Sequence, residues 1–192
     1  GSGAGGLPPG ASQVRLQEFV RALNELGIAD HRLLNFPDGN VQSSDILKQS
    51  LMDCIGDFLP DTVLMPSILD LHRDHRVVAE MLFDISNVFQ FIQRLIQYEV
   101  WCPLPATHIV DITSVAEQKW NAIRQHKTAL ACGNYLDASE GLARYRGLLL
   151  GRPGKSALAE AYVVDQQNVS SSEREHWLSA PARKMLRLLA SS

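Results

Sequence analysis

Apolar residues along the chain switch between two spacings, and that switching predicts the order of elements. Val14, Phe19, Val20, Leu23 and Leu26 recur on one face of a helix that stops at Gly27. Helical spacing returns from about Ser44, where Ile46, Leu47, Leu51, Ile55 and Phe58 form a second apolar stripe, expected to be buried. Thr62-Val63-Leu64-Met65 is a short apolar run without alternation, which suits a strand covered on both faces. Residues 31–35 read as a further short strand, followed by a turn at Pro37-Asp38-Gly39. Downstream, the pattern predicts a long helix from about Asp74 to Ile96 and strands over 98–102 and 108–112. Ser114 and Glu117 form a capping box for a helix running to about Leu130.

Strands that alternate with helices imply βαβ units and a largely parallel sheet, an α/β fold of Rossmann-like type. Such sheets carry their sites in the loops after the carboxyl ends of the strands, and the loop 66–75 stands at one of them. Three segments are expected: a Gly/Pro-rich flexible stretch over 1–11, one domain over 12–167, and a helical C-terminal tail over 168–192.

Composition narrows the function classes. With 45% hydrophobic and 20% charged residues and a formal net charge of -3, the chain describes a single globular domain with a real core. Mild acidity argues against a nucleic-acid partner, which needs a clustered positive field. No apolar run approaches the roughly 18 residues of a membrane span, and no charged-then-apolar leader is visible. Cys54, Cys102 and Cys132 are scattered without metal-type spacing, as expected of reduced thiols in a cytoplasmic protein.

The densest chemistry is Asp70-Leu71-His72-Arg73-Asp74-His75. His72 and His75, at i and i+3, share a helix face and stand beside two carboxylates. Neutral imidazoles ligate metals, and a neighbouring carboxylate fixes which nitrogen keeps the proton. The same residues also make an ordinary solvated helix N-terminus, where Asp is favoured.

This cluster, with Pro60-Asp61-Thr62-Val63 and Pro66-Ser67 before it, resembles the second motif of the PIG-L/LmbE-like deacetylases. Other segments agree in order: Arg15-x-x-Glu18, Leu26-Gly27, Phe36-Pro37-Asp38-Gly39, Val110-Asp111-Ile112-Thr113, His126, Arg146-Gly147 and Ala159-Glu160-Ala161. The resemblance covers about Arg15 to Tyr162. It implies a Rossmann-like fold, a catalytic Zn2+, and removal of an acetyl group from an N-acetylglucosamine-type conjugate, a small-molecule substrate. It makes His75 a zinc ligand. His72 would stabilise the tetrahedral intermediate or protonate the departing amine, with Asp74 orienting it. Arg15, Asp38 and Asp70 are the expected substrate contacts.

The family's first motif, a His-Pro-Asp-Asp-Glu run that supplies two zinc ligands and the general base, is absent from these residues. Gly1-Ser2-Gly3 reads as the remainder of a turn that follows the family's second strand. The expectation is a domain without its first strands, whose ligand set is completed by an upstream segment or a larger polypeptide. The alternative is a degenerate deacetylase fold serving as a binding or scaffolding module.

Overall fold

The structure is a computed structural model, and it describes residues 11–152 and 156–166. Residues 1–10 of the segment expected over 1–11, and the tail over 168–192, lie outside the described residues, while Ala11 already belongs to the first helix. The first helix, α1 (Ala11–Leu26), ends as expected where Gly27 takes a φ of 71°, a conformation that costs glycine little. α2 (Asp45–Phe58) starts at Ser44, whose side chain accepts a hydrogen bond from Leu47 N and caps the helix. β1 (Thr62–Pro66) leads into α3 (Arg73–Ser86). β2 (Arg94–Tyr98), β3 (His108–Asp111), α4 (Ala116–Arg124), α5 (Lys127–Leu130), α6 (Tyr135–Leu148) and β4 (Ala159–Gln166) complete the order.

The strands form one open sheet in the order β1-β2-β4-β3. β1 and β2 are parallel, while β4 runs antiparallel to both of its neighbours. The α/β class stands. Parallel pairing is confined to the β1–β2 side, because β4 enters between β2 and β3 from the opposite direction.

One core lies beneath β1 and β2, where Met65, Leu95 and Ile92 meet Ala79, Leu82 and Ile85 of α3 and Leu47 and Ile55 of α2. A second cluster joins Ile112, Ala116 and Trp120 to Ala143 of α6. α6 approaches residues 157–158 so closely that a Cβ on Gly147 would lie 1.9 Å from the Ala157 carbonyl oxygen. That approach accounts for glycine after Arg146.

Several expectations fail for identifiable reasons. Residues 31–35 form no strand. The long helix stops at Asn87, and β2 begins inside its expected span. Phe89 and Phe91 stack at 5.0 Å across the bend between them and extend the apolar pattern without extending the helix. The strand expected over 98–102 is therefore β2, a few residues earlier. α4 begins at Val115 with no side-chain cap, so the Ser114/Glu117 box does not form. Ile46 (73% exposed) and Phe58 (71%) lie outside the core, and Leu64 (58%) shows that β1, at the edge of the sheet among the described residues, has a face left uncovered.

Candidate active site

The site grows from the carboxyl end of β1. Behind Pro66 the chain turns sharply, with Asp70 N donating to the Ser67 carbonyl at 3.1 Å. Ser67, 1% exposed, donates through its hydroxyl to Gln97 Oε1 on the neighbouring strand and accepts from Leu69 N. Gln97 Oε1 also accepts from Ile68 N. Burying these polar groups costs free energy unless each finds a partner, so their mutual bonds fix one loop conformation.

That loop delivers Asp70, itself 1% exposed. Its Oδ1 accepts from His72 N at 2.8 Å, and its Oδ2 accepts from Trp101 N at 3.3 Å in the loop after β2. The same Oδ2 lies 3.2 Å from His75 Nδ1. That approach has ion-pair distance without hydrogen-bond alignment, and among the described residues no hydrogen-bond partner meets the buried nitrogen. The carboxylate favours the proton on Nδ1 and leaves the Nε2 lone pair for another group. Asp70 thus departs from its expected place among substrate contacts. It is sealed from solvent and spends its oxygens on the backbone and on His75.

His72 is the N-cap of α3, and its Nδ1 accepts from Asp74 N at 3.3 Å. An accepting Nδ1 places the neutral ring's proton on Nε2, opposite to the arrangement favoured for His75. The two rings lie 4.7 Å apart between centroids, tilted by 32°. Asp74, expected to orient His72, meets that ring only through its backbone N–H. Its carboxylate instead takes Gly39 N at 2.6 Å and Val41 N at 3.1 Å, which anchors the turn before α2. The anchored turn carries Asp38, whose Oδ2 accepts from Arg15 Nη1 of α1 at 2.7 Å. Arg15 and Asp38, predicted separately, are brought together.

Among the described residues, Asp38, His72 and Asp74 each offer a ligand atom within 4.8 Å of the others. Most of those atoms already hold the turn and the cap, and His75 is not in the group. The described residues therefore supply one oriented ligand in His75 but no three-ligand set around it, whereas a catalytic zinc takes about three.

A second polar group borders Arg15. Glu18, 3% exposed in the middle of α1, accepts from both the backbone N–H and the hydroxyl of Thr128. Burial raises its pKa, but those bonds and the nearby His126 and Arg21 outweigh it and hold the carboxyl below its ordinary range. His126 is pushed below its ordinary value by burial and by Arg15, with Glu18 opposing. It packs beside α1 and is absent from the bonded network around His75.

The pairing of Glu99 with Arg146 was not foreseen. Glu99 and Arg146 form a buried pair, 5% and 8% exposed at their side chains, with Nε to Oε2 at 3.1 Å and a second contact from Nη2 to Oε1. Arg146 also donates to the Leu104 carbonyl, while Glu99 accepts from Leu104 N. The pair locks the 99–104 loop that holds Trp101. Glu160 pairs with Lys119 and Tyr162; burial raises its pKa, but their hydrogen bonds outweigh it and lower it. Trp120 is core (5% exposed), but Trp101 is 45% exposed and meets Tyr135 edge-to-face.

Comparisons with known proteins bear on the family and the fold. The family model PIG-L, described as GlcNAc-PI de-N-acetylase, matches residues 2–86. The conserved protein TT1542 of Thermus thermophilus superposes with a TM-score of 0.72 at 20% identity, over 86% of this chain and 78% of that one. The N,N'-diacetylchitobiose deacetylase of Pyrococcus horikoshii gives 0.67 at 19% identity, over 85% and 69%. GalB, the 4-carboxy-2-hydroxymuconate hydratase of Pseudomonas putida, gives 0.69 at 17% identity, over 84% and 75%, so the fold carries more than one chemistry. No curated protein matches the chain. Residues 2–86 match the PIG-L family model, and across most of its length the chain shares the fold of these solved structures.

Proposed function

We propose that the chain carries the working end of a metal-dependent N-deacetylase, hydrolysing the acetamide of an N-acetylglucosamine-type conjugate in the cytoplasm. The observation that supports this reading best is the pair of imidazoles 4.7 Å apart, one suited to carry a proton and the other to bind a metal. His72 accepts from Asp74 N through Nδ1, and the buried Asp70 carboxylate faces Nδ1 of His75, leaving Nε2 of each ring for other groups. Hydrolysis of an amide needs both kinds of group. The departing amine must gain a proton, which suits His72. Its Nε2–H is equally suited to donate to the oxygen of the tetrahedral intermediate.

His75 is the natural ligand of the zinc that the resemblance implies. When bound, such an ion polarises the amide carbonyl and lowers the pKa of water. The other ligands come from outside the described residues, and no step is assigned to the ion. Arg15 offers a fork for a phosphate or for sugar hydroxyls, and Asp38 accepts from hydroxyls beside it. The lack of a three-ligand set around His75 favours a second reading, a non-catalytic module that binds the same class of conjugate.

Release of acetate from N-acetylglucosamine conjugates decides between them. Deacetylation that stops with a chelator and returns with zinc is the expected result. No acetate at any zinc level, from a protein that still binds the sugar, would leave only the binding module.

A further inference from the structure

Trp101 is an exposed indole at a position that the chemistry described above does not use. Its backbone N–H shares Oδ2 of Asp70 with His75 Nδ1, so the residue stands beside the imidazole. The ring is 45% exposed and meets the 38% exposed ring of Tyr135 at 5.5 Å and 89°. Tyr135 opens α6, and Gly133 leaves room for its ring, since a Cβ there would sit 3.3 Å from Tyr135 Cε2. The buried pair of Glu99 and Arg146 fixes the loop beneath the indole.

The contacts place this aromatic corner and the ionic corner on the same site. One chain of bonds runs from Arg15 through Asp38 and its anchored turn to Asp74 and His72. The other runs from His75 through Asp70 to Trp101 and Tyr135. The two chains join where the His72 and His75 rings meet. A site with hydrogen-bonding charge at one corner and exposed aromatic faces at the other suits a ligand of matching polarity. A pyranose has that character, with hydroxyls around its rim and a patch of C–H groups on its face.

We propose that Trp101 and Tyr135 form an aromatic subsite that holds a sugar ring of the conjugate beside His72 and His75. The proposal takes its substrate class from the deacetylase reading, but it concerns binding rather than hydrolysis. The backbone bond from Trp101 N to Asp70 ties its stretch of loop to the His75 side, and the Tyr135 ring packs against the indole. Stacking on the C–H face is tolerant of hydroxyl pattern, so the subsite contributes affinity, and Arg15 and Asp38 contribute orientation.

The test is titration of the whole chain with N,N'-diacetylchitobiose, followed by indole fluorescence and by saturation-transfer NMR. The wild type is expected to bind saturably with a change in indole emission. Trp101→Phe should bind within about threefold of it, Tyr135→Ala a few-fold more weakly, and Trp101→Ala about tenfold more weakly. Melting temperatures within a few degrees of wild type show that the variants fold. Equal affinity of Trp101→Ala and wild type overturns the subsite, as does a wild type that shows no binding at millimolar sugar. Acetate release is scored in parallel to separate the two ideas. Trp101-dependent binding without acetate release keeps the subsite and removes the deacetylase reading. Acetate release with an unchanged KM in Trp101→Ala does the reverse.

Discussion

β2 has a carboxylate–guanidinium pair at each end, and the two could hardly differ more. Where the strand begins, Arg94 reaches Asp61 at 4.0 Å with side chains 50% and 68% exposed. Just past its end, Glu99 meets Arg146 in two contacts with both side chains under a tenth exposed. An exposed pair gains little in water and is screened by salt. A buried pair has lost its hydration, so each partner depends on the other. The polar residues Ser67, Asp70, Asp74 and Gln97 are buried at the same end as the second pair. The carboxyl end of the parallel strands is therefore the specified end of the molecule, and the amino end is the tolerant one.

The contrast can be broken most forcefully at Arg146. Arg146→Met leaves Glu99 buried without its partner and should cost about 3–5 kcal/mol in urea unfolding. A loss below about 1 kcal/mol would mean that the loop re-forms without the pair. Asp70→Ala comes next. It strips His72 N and Trp101 N of an acceptor and should cost roughly 2–3 kcal/mol, with a fall in any activity that depends on His75.

Acid gives a smaller effect on the α1–α5 side. The folded protein holds His126 below its ordinary value and Glu18 below its own, so each contributes full stability above its unfolded pKa. That contribution is lost as pH falls through the folded values, first for His126 below about 6.5 and then for Glu18 below about 4.3. Partial exposure of His126 screens its share. Thermal melts of His126→Gln should be flatter than wild type by about 2 °C between neutral pH and pH 5. Identical slopes would show that His126 is indifferent to its charge. Smallest of all, Arg94→Met should change stability by less than about 0.5 kcal/mol.

The sequence made the specified end legible and left much of its support hidden. The loop after β1 could be read because short apolar strands, Pro66 and a dense His/Asp run are local signals. Arg15 and Asp38 were legible as separate motif positions, but their pairing depends on Asp74 pulling the 39–41 backbone across to α3. Glu99 and Arg146 stand 47 positions apart, so neither has a local signal for its partner. The resemblance made Asp70 a ligand contact, and only the tertiary fold reveals its burial. β2 was obscured because the apolar residues Phe89, Phe91 and Ile92 continue the pattern of α3 beyond the point where its hydrogen bonds stop. β4 was missed because its inward positions begin with Ala159 and Ala161, small residues chosen by the close approach of α6 rather than by strand preference.

Acetate release from an N-acetylglucosamine conjugate, compared among wild type, His75→Ala and Arg94→Met in zinc-supplemented buffer, tests the central claim most directly. The account predicts that His75→Ala loses at least about a hundredfold in rate while Arg94→Met stays within about twofold. Turnover by His75→Ala at the wild-type rate would contradict it.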